Sequence, residues 1–244
     1  MACIAFPHLA RRHILSTSHT YSYAYHPPST PFLPTLLFLH GFPSSCYDWR
    51  HQIQFFARQG YGVLAPDLLG YGGTSKPTDL NEYRSKKMAA EIIELLDHES
   101  IDKVHAVGHD TGCTLLSRLA DYFPSRFLSC SFLDVPYSKP GQRFDLAMVN
   151  SMTKQFLGFE RFGYIGFFVG DDAGRVLDQH VRLALYLFVT NVVCSNLCSL
   201  NHSSLYSTLK IPTFGSNTSA PQARWRTGLF KTRKPQQHHI LAKL

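Results

Sequence analysis

Acidic residues are missing from both ends of this 244-residue chain: all 17 Asp and Glu lie between Asp48 and Asp178. Residues 181–244 carry Lys and Arg but no acid, so the formal net charge of +7 belongs to that tail and not to the body of the chain. Soluble domains mix both signs of charge, and an acid-free tail is therefore a break in composition. Basic charge suits anionic partners in general. This tail has neither a groove-reading motif nor a basic helical face, so no nucleic-acid partner is expected. Cysteine is sparse and scattered at Cys3, Cys46, Cys113, Cys130, Cys194 and Cys198, with no C-x-x-C pair. That pattern excludes a zinc ribbon and a disulfide framework and fits a reduced, cytoplasmic setting. No cluster of His, Cys and Glu has metal-ligand spacing, so neither a metal nor another cofactor is expected. Residues 183–200 lean apolar but carry two Asn, two Ser and a Thr; the segment is borderline in length and polarity for a spanning helix, and no membrane span is expected. Met1 to Thr20 holds Arg11, Arg12 and several hydroxyl residues, faintly like a transit peptide. It reads better as a short leader before the first strand.

What is present is an alternation of strand and helix patterns. His19 to His26 alternates Tyr with small or polar residues, the mark of a half-exposed strand. Thr35–Leu39, Val63–Ala65, Val104–Val107 and Leu128–Leu133 are short apolar runs of the kind found in buried parallel strands. Asp48–Gln59 and Asn81–His98 have helical periodicity, the first with Trp49, Ile53, Phe56 and Ala57 near one face, the second with Met88, Ile92, Leu95 and Leu96 inward. Cys113–Phe123 is a third helix. Such alternation predicts an α/β fold, a doubly wound and mostly parallel sheet covered on both faces. Ligands then sit at the carboxyl ends of the strands. His40, Asp67, Asp110 and Asp134 each fall at or just past such an end. An Asp after a strand also serves as a plain cap or turn residue.

The segment Gly108-His109-Asp110-Thr111-Gly112 joins a strand to a helix in the pattern small-x-acid-x-small. That is the shape of a nucleophile elbow, with aspartate where serine is common. A carboxylate there needs no base to deprotonate it. It attacks carbon and leaves an ester on the enzyme.

His40-Gly41-Phe42-Pro43-Ser44-Ser45, Asp67 to Pro77 (DLLGYGGTSKP) and Gly108 to Gly112 together resemble the α/β-hydrolase fold family in its epoxide hydrolase-like branch. The match covers roughly residues 12–180, with the three motifs in family order and spacing. The resemblance implies a core half at residues 1–135, a partial helical lid at 136–180 and an atypical tail at 181–244. It implies Asp110 as nucleophile and the backbone N–H groups of Phe42 and Thr111 as the oxyanion hole. His40 and His109 would line the substrate space. Asp134, after the strand that ends at Leu133, would be the relay acid that orients a histidine; a turn cap is the other reading. In the aromatic stretch Phe159 to Phe168, Tyr164 would donate a proton to the opening epoxide oxygen; a packed aromatic stripe is the other reading. The glycines of Gly70-Tyr71-Gly72-Gly73 belong to the family loop and not to a dinucleotide turn. The substrate implied is a small apolar epoxide, converted through an alkyl-enzyme ester to a diol.

Dehalogenases share the aspartate nucleophile. Relatives that cleave haloalkanes carry Trp just after it, and those that cleave fluoroacetate carry Arg there and three residues later. This chain has Thr111 and Thr114. The family pattern then runs out near His180. It calls for further strands and a catalytic histidine, and none of His202, His238 and His239 follows a strand-like run. The sequence from about Val181 is read as non-family. A dehalogenase-like hydrolase and a catalytically impaired fragment are the alternatives to an epoxide hydrolase.

Overall fold

The computed structural model describes residues 1–141 and 144–182. The expectations about the segment 183–200, the basic tail and His202, His238 and His239 lie outside the described residues. The chain divides into two units, one up to residue 141 and one from residue 144 onward among the described residues.

The first unit is built on six strands: β1 Ala10–Ile14, β2 Thr20–His26, β3 Thr35–Leu39, β4 Gly62–Pro66, β5 Val104–His109 and β6 Phe127–Leu133. They lie in the order β1-β2-β4-β3-β5-β6. The hairpin β1–β2 adds antiparallel to β4, whereas β4, β3, β5 and β6 are parallel. Four helices accompany them: α1 Ala2–Ala5, α2 Arg50–Arg58, α3 Ser85–His98 and α4 Thr111–Tyr122.

The period of two along each strand divides the core. Leu36, Phe38, Val63, Ala65 and Val107 pack on one face with Trp49 and Ile53 from the α2 side. Leu37, Leu39, Leu64, Val104 and Ala106 pack on the other with Ile92, Leu95 and Leu96 of α3 and Leu115, Leu116 and Leu119 of α4. Alternate residues thus supply opposite cores, which is why β3 and β4 read as unbroken apolar runs. Each fully buried Leu contributes about 2 kcal/mol of burial energy before entropy is counted.

Three boundaries differ from the sequence expectation. The supposed leader holds α1 and β1. Strand β1 (ARRHI) is polar because it is the sheet edge, where exposed Arg11 and Arg12 discourage further pairing. The expected helix from Asn81 begins at Ser85, because Asp79 accepts the Asn81 N–H and caps a separate 3-10 turn over Leu80–Tyr83. Likewise Cys46–Trp49 is a 3-10 turn ahead of α2.

Carboxylates of α3 and of its C-cap residue Glu99 hold the hairpin down. Buried Glu91 accepts from Tyr21 Oη (2.9 Å) and Thr17 Oγ1 (2.7 Å), with His19 Nδ1 at 2.7 Å. Glu94 accepts from the amide and hydroxyl of Ser16, and Glu99 from Tyr23 and Arg11.

The second unit has three helices and no strand among the described residues: α5 Leu146–Leu157, α6 Gly163–Phe168 and α7 Ala173–Gln179. Asp145 caps α5 by accepting the Met148 N–H at 2.9 Å, and Gly158, at φ 82°, ends it in the left-handed conformation. Asn150 and Thr153 of α5 accept the amides of Phe162 and Arg161, which fixes the turn into α6.

Candidate active site

Strand order creates the site. From β3 the chain passes by α2 to β4 on one side, and from β4 it crosses by α3 to β5 on the other side of β3. Loops leaving β3 and β5 therefore diverge and open a crevice at their carboxyl ends, the place where doubly wound sheets bind ligands. The loop after β3 holds Gly41 and Phe42; the turn after β5 holds Asp110.

Asp110 has φ 51° and ψ −122°, an uncommon backbone state for a residue with a side chain. Such a state costs on the order of 1–3 kcal/mol and must be held by its surroundings. The holding contacts are visible. A Cβ on Gly112 would lie 2.3 Å from the Leu39 carbonyl oxygen and 2.6 Å from that of His40. A Cβ on Gly41 would lie 2.5 Å from the Cβ of Asp110. The small residues of the two motifs therefore let the elbow and the β3 loop press together. The Leu133 carbonyl at the end of β6 accepts from the Asp110 N–H (3.3 Å), the Val135 N–H (2.9 Å) and the Cys113 thiol (3.3 Å). Burial pushes the Cys113 thiol pKa up, so this thiol stays a neutral donor.

The Phe42 N–H donates to Asp110 Oδ1 at 2.8 Å. Asp110 also stands at the N-cap position of α4, whose N-terminus carries partial positive charge, without a side-chain capping bond. Thr111 opens that helix and is exposed. Its N–H belongs to the first turn, where amides have no acceptor within the helix. His109, the last residue of β5, is partly exposed beside Asp110.

His40 differs from the sequence expectation of a substrate-facing group. Its ring is fully buried. Nδ1 lies 2.9 Å from the Gly41 carbonyl, and Nε2 accepts the Leu68 N–H at 2.9 Å. Burial pushes its pKa down, with the Gly41 hydrogen bond, Asp67 and Asp48 opposing and His109 assisting.

Asp67 is also fully buried. Oδ1 accepts the Cys46 N–H (3.0 Å), and Oδ2 accepts from the Gly73 N–H (2.9 Å), the Ala2 N–H (3.2 Å) and the Met1 ammonium (2.8 Å). Burial alone would raise its pKa, but these donors bring it down to about 2. Asp67 thus ties the β3 loop to the glycine-rich loop.

Asp134 is exposed with φ 71°, and the Val135 N–H to Leu133 O bond closes a tight γ-type turn around it. It stands one residue past β6, as Asp110 stands one residue past the neighbouring β5. Tyr164 lies in α6, with ring centroids of Phe162 and Phe168 at 6.2 and 6.4 Å.

Sequence reasoning passed over Tyr71. Its ring meets that of His40 edge-on at 5.1 Å. Burial, then the Asp110 carboxylate and Tyr83, push its pKa up to about 12. Its position between two glycines of the motif loop was the available signal.

Among the described residues no group of three or more His, Cys, Asp or Glu is arranged to hold a metal ion. Among the same residues no helix is long and apolar enough to cross a membrane.

Comparison with known proteins gives this crevice a setting. A family model described as alpha/beta hydrolase fold matches residues 34–185. Epoxide hydrolase 2 of Siraitia grosvenorii is 38% identical over 43% of this chain and 33% of its own length. Epoxide hydrolase A of Mycobacterium tuberculosis is 38% identical over the same shares of the two chains. The chain thus spans about a third of the length of these relatives. A solved epoxide hydrolase of Vigna radiata superposes with a TM-score of 0.61 at 26% identity, covering 74% of this chain and 54% of that one. The chain belongs to the alpha/beta hydrolase fold family.

Proposed function

We propose that this chain carries the ester-forming machinery of an epoxide hydrolase, with Asp110 as nucleophile and a small apolar epoxide as substrate. The observation that carries this reading is the Asp110 carboxylate, held at a strained elbow with Oδ1 fixed by the Phe42 N–H. A serine nucleophile brings its acyl group from the substrate. An aspartate nucleophile supplies the acyl group itself, so the oxyanion donor engages it before reaction begins. Oδ1 is then anchored and Oδ2 is the attacking atom.

In the first step Oδ2 bonds to an epoxide carbon as the C–O bond breaks, and the released oxygen takes a proton. Tyr164 is the candidate donor, since an alkoxide leaves poorly unprotonated. The product is a 2-hydroxyalkyl ester of Asp110. In the second step a water adds to the ester carbonyl. The Phe42 and Thr111 N–H groups meet the charge that grows on Oδ1, the diol leaves and the carboxylate returns. Asp134 is the candidate partner of the histidine that activates this water. His109 lines the substrate space. The relatives named epoxide hydrolase support the substrate class. Thr111 and Thr114 replace the Trp and Arg that the dehalogenase alternatives call for.

The second step needs a histidine free to take a proton. Of the described histidines at this sheet edge, His40 has both nitrogens spent on backbone. His40 is therefore not the group that takes this proton. Incubation with a chromogenic epoxide, followed by intact mass and diol measurement, tests both steps. An adduct mapped to Asp110 supports the reading. Halide release from haloalkanes with neither adduct nor diol from epoxides overturns it.

A further inference from the structure

The loop that carries the Phe42 N–H is fastened in part through one imidazole. Gly41 carbonyl oxygen only accepts, so His40 Nδ1 must carry a proton to bond it at 2.9 Å. The Leu68 amide only donates, so Nε2 must be bare to accept it at 2.9 Å. One protonation state satisfies both, the neutral ring with its proton on Nδ1. A second proton on Nε2 would point at the Leu68 N–H inside a fully buried site, leaving two donors without an acceptor.

We propose that His40 is a positioning residue for Asp110, which holds the Phe42 N–H on the nucleophile only while its ring is neutral and is released by protonation. This rests on the reading of Asp110 as nucleophile. The connection is short. His40 binds Gly41, Gly41 packs against the Cβ of Asp110, and the next amide donates to Asp110 Oδ1. On the far side, Leu68 follows Asp67, whose carboxylate grips Cys46 in the same β3 loop. The loop is thus fastened at two points, of which only the His40 point changes its bonding when the ring takes a proton.

The groups that face the ring come from several elements. Asp67 and Asp48 favour its charged form, whereas His109 opposes it. Tyr71 presents its ring edge-on and adds no charge while its phenol is protonated. The Met1 ammonium offsets part of the Asp67 charge. Burial outweighs the acids and keeps the ring neutral through the neutral pH range. The site is therefore set at neutral pH and released in acid.

The direct test is nitrogen-15 NMR of the unreacted full chain across pH 4.5–8. At pH 7.5 His40 shows a protonated Nδ1 and a bare Nε2. As the ring takes a proton, the Phe42 and Leu68 amide resonances move with it, while Ala106 in β5 stays in place. The proton on Nε2 at pH 7.5, or a Phe42 amide that does not follow the His40 titration, overturns the proposal. Two variants add a second readout, the rate of ester formation. His40→Asn keeps a donor toward Gly41 but cannot reach Leu68, and slows ester formation about 100-fold, the scale of a reacting group misplaced by about 1 Å. His40→Gln offers Leu68 an acceptor that takes no proton but gives up the donor to Gly41, so it also slows ester formation while the acid limb of the pH profile disappears. Equal loss in both variants with the acid limb intact contradicts the role. If the unaltered chain forms no ester with any epoxide, the Asp110 reading fails, while the NMR result still decides the His40 proposal.

Discussion

The amide of Phe42 donates to Oδ1 of Asp110 at 2.8 Å, across the crevice between the ends of β3 and β5. One hydrogen bond therefore joins the two motifs that are 68 residues apart in sequence. It also distinguishes the two carboxylate oxygens of Asp110, one held and one available.

Asp110→Asn keeps an oxygen for the Phe42 amide but removes the nucleophile. The fold should survive with a change within about 1 kcal/mol, the worth of a typical hydrogen bond. Ester formation with an epoxide should vanish. Chemical denaturation and intact mass on the same sample check both halves.

Gly112→Ala should be among the most destabilising single-methyl changes in the chain. Its Cβ would press on two backbone carbonyls, Leu39 O and His40 O, which have no rotamer to move. A loss of about 3 kcal/mol is expected, the upper part of the overpacking range. Gly174→Ala, in α7 with nothing near its Cβ, is the control. It should be neutral or stabilising by up to about 1 kcal/mol. Melting temperatures of the two variants compare them directly.

Asp67 should make stability depend on acid. Its folded pKa of about 2 lies below the value of 3.8 for the unfolded chain. The stabilisation is therefore complete above about pH 4 and is lost as pH falls through 2. A shift of this size is worth roughly 2 kcal/mol. Asp67→Asn should lose about that much at pH 7 and show a flatter stability profile between pH 4 and 2. Urea denaturation at a series of pH values measures it.

Most of the sheet and the elbow were legible because they depend on local patterns. The strands around Leu37, Leu64 and Val107 are buried on both faces and read as apolar runs; the elbow shows as small residues around an acid. Strand β1 was not legible, since an edge strand with Arg11 and Arg12 has the composition of a leader. The true position of His40 was hidden for a different reason. Its partner amide, on Leu68, is 28 residues away, and a backbone donor leaves no trace in sequence. Tyr71 was missed because only the meeting of its loop with His40 shows its place.

Tyr164→Phe should slow ester formation about 100-fold, as expected when a general acid is removed. The ring packing with Phe162 and Phe168 is retained, so the loss reads the phenol oxygen and not the ring. Single-turnover rates with an aryl epoxide, followed by quenched mass spectrometry, measure this.

The proposed chemistry turns on Asp110 forming a covalent ester with an epoxide. The most direct measurement is peptide mapping of the full chain after incubation with styrene oxide. A mass increase of one epoxide on the peptide containing Asp110, absent in Asp110→Asn, is the predicted result. Modification confined to other residues, or unchanged in Asp110→Asn, would contradict it.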